Sequence, residues 1–145
     1  MVSNQQDYAD WIGRPETTQS TATELIATRM SGLLNRAAPN VGDIWPETWT
    51  WALFSPALRH DAAGSDGHAA RGTFMPPVTL PRRMWAGSDL TIERAIRVGE
   101  EVKRISTIAN VTQTHGRSGN LCFVKVDHKL IGSDGGRMTE EQTIA

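Results

Sequence analysis

The chain has 145 residues and a mass of 15.9 kDa, enough for one domain with a real core. Apolar residues make up 39% and charged residues 21%, which excludes a disordered tail. Fifteen Lys and Arg against 16 Asp and Glu leave a net charge of −1, a balance unlike that of a dedicated nucleic-acid binder.

No apolar run approaches the roughly 20 residues that a membrane-spanning helix needs. The opening Met1-Val2-Ser3-Asn4-Gln5-Gln6-Asp7 has neither the basic start nor the apolar stretch of a secretory signal. The single cysteine, Cys122, excludes an internal disulfide and a Cys-built zinc site. A reducing, cytoplasmic setting is the expectation. Five tryptophans stand against one tyrosine and three phenylalanines, and the simplest reading is a core built on large aromatic anchors.

The first half reads as a helix followed by long loops. Ala22, Leu25, Ile26, Met30 and Leu33 recur at intervals of three or four and predict a helix over residues 21–36. Thr21 with Glu24 forms a capping box at its start, and Asn35 and Pro39 are stop signals. A second short piece, helical or extended, carries residues 48–54. The stretch 55–81 follows, with Pro56, Pro76, Pro77 and Pro81, and a loop of that length inside a domain is functional or partly ordered.

The second half reads as antiparallel sheet. Residues 101–114 are rich in β-branched types, with Ile105, Thr107, Ala109 and Val111 on one face by period two. Val102 and Ile108 break that alternation, which predicts a bulge or a strand covered on both sides. His115-Gly116-Arg117-Ser118-Gly119-Asn120 signals a turn, and residues 121–130 the partner strand, with Cys122, Val124 and Val126 on one face. A turn at Gly132-Ser133-Asp134-Gly135-Gly136 leads into a last strand over 138–145, inside which the sequence stops. One helix and then a meander of strands imply α+β.

The chemistry-bearing residues form no familiar catalytic pattern. His60, Asp61, Asp66 and His68 cluster in the loop, but no HExxH spacing, Cys partner or helical i, i+4 pair supports a metal, and they read as polar loop residues. His115 falls in a turn and His128 on a strand beside Asp127, both expected at the surface or in pairing roles. There is no G-x-S-x-G elbow and no P-loop. Cys122 reads as a small core hydrophobe, and no cofactor or metal is implied.

The run from Gly64-Ser65-Asp66-Gly67-His68 through Pro76-Pro77-Val78-Thr79-Leu80-Pro81-Arg82-Arg83-Met84-Trp85-Ala86-Gly87 resembles the N-terminal half of MaoC-like acyl dehydratases. That group includes itaconyl-CoA and mesaconyl-CoA hydratases and hydroxyacyl-thioester dehydratases. Trp11-Ile12-Gly13-Arg14, Trp49-Thr50-Trp51-Ala52-Leu53-Phe54, Gly116-Arg117-Ser118-Gly119-Asn120-Leu121-Cys122-Phe123-Val124 and Glu140-Glu141-Gln142 extend the resemblance over nearly the whole chain. Thr50 departs from it, standing where a histidine is expected between two aromatics.

The resemblance implies a hot-dog fold, a long antiparallel sheet wrapped around a central helix. It also implies that residues 1–145 are the first half of a two-hot-dog enzyme whose D-x-x-x-x-H motif lies in the other half. Five positions after the aspartates stand Ile12, Pro15, Thr48, Asp66, Arg71, Arg94, Gly132 and Thr139, none of them histidine. The expectation is therefore a hydro-lyase component without catalytic residues of its own, which shapes the acyl-thioester site and pairs with a catalytic half or with itself. The alternative is a stand-alone acyl-thioester binding protein or thioesterase. The expected ligand is an acyl-CoA or other acyl thioester, with no nucleic acid and no membrane. Arg82 and Arg83 are the candidates for its phosphates and Trp85 for stacking on adenine or lining the tunnel; the competing reading pairs the arginines with Asp or Glu and packs Trp85 in the core.

Overall fold

The computed structural model describes residues 7–117 and 119–145, so the opening 1–6 and Ser118 of the predicted turn lie outside it. Five strands, β1 (Pro15–Thr21), β2 (Trp85–Arg94), β3 (Glu101–Gly116), β4 (Gly119–Gly132) and β5 (Arg137–Ile144), form one sheet in the order β1-β3-β4-β5-β2. Every neighbouring pair is antiparallel. Two helices, α1 (Glu24–Leu33) and the single turn α2 (Thr50–Leu53), complete the α+β architecture.

β3, β4 and β5 lie where the β-branched runs and glycine turns predict them, whereas β1 and β2 fall in segments for which the sequence predicts no element. Both are edge strands, mostly exposed, and neither carries an apolar alternation. The predicted bulge is present, as the β3–β4 register shifts between Ile108 and Asn110. The face of β3 is corrected, however. Val102, Ser106 and Ile108 are buried, while Ile105, Thr107 and Ala109 are only half-buried. On β4, Cys122, Val124 and Val126 point inward as expected, joined by His128 and Leu130.

α1 is shorter than its periodicity suggests. Thr21 is the last residue of β1, and the N-cap is Thr23, whose hydroxyl accepts from the Ile26 amide at 3.2 Å. Ala27 and Ser31 are buried and Ile26 and Met30 pack against the core, but Leu25 and Leu33 face outward. Asn35 ends the helix with φ 51°, a left-handed conformation that asparagine tolerates. The aromatic segment forms one turn of 3-10 helix, Glu47–Trp49, running into α2. Thr50 is buried there, its hydroxyl donating to the Glu47 carbonyl at 3.0 Å.

The inner face of the sheet carries two apolar clusters. Trp45, Trp49, Leu53, Ala22 and Ala27 cover Val102, Leu130 and Met138 at one end, with Ile96 and Val98. At the other end Tyr8, Phe74, Met75, Val78 and Leu80 cover Ile108, Cys122, Val124 and Val126. Trp45 and Trp49 thus act as core anchors, edge to face at 6.1 Å between centroids. The β4–β5 turn is fixed by Glu100, a buried carboxylate that accepts from the amides of Arg97, Asp134 and Gly136 at 2.8–2.9 Å. Gly132 is required beside it, because a Cβ there would stand 2.0 Å from the Glu100 Oε1.

Candidate functional site

The long loop 55–81 is ordered by one aspartate. Asp66 accepts from Arg83 through Nε and Nη2 at 3.0 and 3.1 Å and from the His68 amide at 3.1 Å. Arg71 lies 4.0 Å away and donates to the carbonyls of Val78 and Leu80. Partial desolvation pushes the Asp66 carboxyl up, but the His68 amide and the Arg83 guanidinium outweigh it and hold the group below the usual carboxylate range. The Asp-Gly-His stretch and the downstream arginines are therefore one knot that folds the proline-rich segment onto the second apolar cluster. Asp61 pairs instead with Arg59 at 2.9 Å, and among the described residues no three His, Cys, Asp or Glu side chains gather as a metal site.

The three residues singled out for ligand binding separate in space. The Arg83 guanidinium is mostly buried and committed to Asp66 and to the Ala69 carbonyl. Arg82 is exposed and borders a groove lined by Met75, Val78, Leu80, Cys122, Val124 and Ile144. In that groove burial pushes the Cys122 thiol up against the pull of Arg71, which keeps it a hydrophobe and not a thiolate. Trp85 is 55% exposed and meets the 44% exposed Trp51 edge to face, with centroids 5.8 Å apart.

This aromatic pair sits on a buried carboxylate that sequence reasoning did not single out. Glu140, 7% exposed, accepts from the Trp51 indole N–H at 3.1 and 3.2 Å and from the Ser88 hydroxyl at 2.5 Å. Ser88 in turn accepts from the Trp85 indole N–H at 3.1 Å. Glu140 also ends a polar row that crosses the inner face between the two apolar clusters. Ser106, His128 and Glu140 are direct register partners on β3, β4 and β5. All three are buried, and Ser106 Oγ and His128 Nδ1 share a hydrogen bond of 2.8 Å. Burial, and next the charge of Arg104, hold the His128 pKa below the ordinary histidine value. Of the two roles expected for His128, at the surface or in pairing, it takes the pairing one, on the inner face. The signal was available in the alternation itself, since His128 shares the parity of Cys122, Val124 and Val126.

Arg104, two residues along β3 from Ser106, is the other residue missed. Its guanidinium lies over the Phe54 ring at 4.4 Å, and its Nε is buried without a hydrogen-bond partner among the described residues. Burial pulls its pKa down, opposed from a distance by Glu16 and Glu140.

Comparison with known proteins gives this geometry a family. Residues 48–145 match the pattern of hydroxyacyl-thioester dehydratase type 2. A mesaconyl-C(4)-CoA hydratase from Chloroflexus aurantiacus is 35% identical over 140 residues, 95% of this chain. The chain spans about half the length of that curated relative, 50%. Among solved structures, the R-hydratase PhaJ1 from Pseudomonas aeruginosa superposes with a TM-score of 0.61 at 14% identity, over 92% of this chain and 79% of its own. The ChsH1-ChsH2 complex from Mycobacterium tuberculosis gives 0.65 at 12% identity, over 90% and 86%. At such identities the likeness speaks for the fold, which is the hot-dog fold expected from the resemblance. The chain belongs to the hydroxyacyl-thioester dehydratase type 2 family.

Proposed function

We propose that this chain is the non-catalytic hot-dog half of an enoyl-CoA hydratase or 3-hydroxyacyl-thioester dehydratase, acting in a reducing, cytoplasmic setting. It shapes the acyl-thioester site and pairs with a second hot-dog half that supplies the general acid and base. The observation that carries this reading is the missing D-x-x-x-x-H motif in a chain that belongs to this family and matches half of a hydratase. Hydration of an enoyl thioester needs a positioned group to activate water and another to protonate carbon. Among the described residues the His paired with a hydroxyl is His128, which is buried on the inner face of the sheet.

In this reading Arg82 and Trp85 meet the CoA moiety. Both are exposed, and a guanidinium binds phosphate by charge-assisted hydrogen bonds while an indole stacks on adenine. Arg83 contributes by holding the loop that presents them. The edges of β1 and β2 leave backbone groups on one side for a partner to pair or cover.

The test is a titration of a hot-dog half bearing D-x-x-x-x-H with this chain, reading hydration of a panel of small enoyl-CoA esters. The rate should rise and saturate at equimolar chain. A rate that does not depend on the added chain overturns the proposal.

A further inference from the structure

Trp85 is an exposed indole that the strand, a hydrogen bond and a second ring hold in place. The β2–β5 register shifts between Trp85 and Gly87, so that Trp85 stands opposite Ile144 and Ser88 opposite Gln142. Ile144 and Gln142 share a face of β5 by the period of two, and residues directly opposite across a ladder share a face as well. The bulge thus turns Trp85 to the side of Ser88, where a regular strand would point the two apart. There the Trp85 indole N–H donates to Ser88 at 3.1 Å, and the Trp51 ring of α2 meets Trp85 edge to face.

These contacts converge on Glu140. Its carboxylate accepts from the Ser88 hydroxyl and from the Trp51 indole N–H, and it enters no ion pair among the described residues. A carboxylate buried without a cation against it is costly, and charge-assisted hydrogen bonds are what offsets that cost here. One side chain on β5 therefore orients both indoles, Trp51 directly and Trp85 through Ser88. With both N–H groups turned inward, the ring surface left outside is apolar, and the two ring planes stand 67° apart. A planar aromatic group can stack on one face of such an angled pair and meet the other ring at its edge. Core packing does not account for the arrangement, because neither indole is buried.

On the basis of the reading above, in which Trp85 meets the CoA moiety, we infer that Glu140 is a positioning residue for that contact. Glu140 and Ser88 do not touch the ligand. They fix the angle at which Trp85 and Trp51 receive the adenine, so the ordering cost of an exposed side chain is met in the free protein and not on binding.

The test is a double-mutant cycle on the full chain, with Kd from calorimetry for S-butyl-CoA and for S-butylpantetheine, which lacks the nucleotide. Trp85→Ala should weaken S-butyl-CoA at least about fivefold, the scale of one lost base stack, and leave S-butylpantetheine unchanged. Ser88→Ala should weaken S-butyl-CoA selectively too, although it removes no ring, and Ser88→Thr should restore the affinity. Adding Ser88→Ala to Trp85→Ala should cost nothing further. Glu140→Gln keeps an acceptor and loses the charge, and it should show the same selective loss. Losses that add, or parental affinity in Ser88→Ala, overturn this inference alone. So does an equal loss of both ligands in Ser88→Ala and Glu140→Gln, the mark of a merely structural role. If Glu140→Gln does not fold, the Ser88 cycle decides by itself. Unchanged S-butyl-CoA binding in Trp85→Ala, or no binding to the parent chain, overturns the CoA reading and this inference with it.

Discussion

Acidification from about pH 7.5 to about pH 5.5 protonates an ordinary histidine, whose pKa is near 6.5, but His128 resists it in the folded chain. Burial is the main reason, the Arg104 charge the second; Glu140, Gln142 and Asp127 pull the other way without prevailing. Below about pH 6.5 the unfolded chain therefore holds more protons at this position than the folded one, and stability falls as the pH falls towards the lowered folded pKa. Above about pH 6.5 the contribution is complete. One proton limits the slope to about 1.4 kcal/mol per pH unit. Asp61 and Asp66, whose pKa values are also lowered, lose their contributions only below about pH 4, so the window is separate. Urea unfolding at several pH values reads the slope directly, and His128→Gln, which keeps a polar partner for Ser106, should flatten it. Identical slopes in parent and variant between about pH 6.5 and 5.5 would refute the assignment of the buried neutral ring.

Three further perturbations test the framework. Gly132→Ala forces a Cβ to within 2.0 Å of the Glu100 carboxylate and should cost about 1–3 kcal/mol in urea unfolding; a variant as stable as the parent contradicts the close packing of that turn. Trp51→Phe removes the indole N–H from the buried Glu140 carboxylate, a loss of about 1.5–3 kcal/mol for a hydrogen bond to a charged group, and no change in stability would sink that role. Arg83→Ala should lower the melting temperature by breaking the Asp66 knot, whereas Arg82→Ala should leave melting unchanged and weaken CoA-ester binding to the reassembled pair; the opposite assignment of effects would reverse the roles of the two arginines.

The sequence reveals those elements whose burial writes a pattern. β4 is buried on one face along its length, so Cys122, Val124 and Val126 show both the strand and its orientation. β3 misleads because its inward face includes Arg104 and Ser106, while half-buried Ile105 and Thr107 look more core-like than they are. The bulge after Ile108 then changes the phase, bringing Val111 against the second cluster. β1 and β2 are nearly invisible, since an edge strand such as Pro15–Thr21 is exposed and polar and its pairing comes from the β3 backbone. The candidate site shows the same division. The Asp66, Arg71 and Arg83 motif stands out in the chain, but its meaning as a loop-organising knot needs the fold. Glu140, His128 and Arg104 are dispersed over three strands and become a constellation only through register, which no local pattern encodes.

The central claim is that this chain lacks its own acid–base pair. Its most direct test is hydration of small enoyl-CoA esters by the purified 145-residue chain, measured alone and after addition of a D-x-x-x-x-H half. The account predicts no turnover above the uncatalysed rate from the chain alone and turnover only from the pair. Robust hydration by the chain alone would contradict it and place a catalytic group among residues described here as structural.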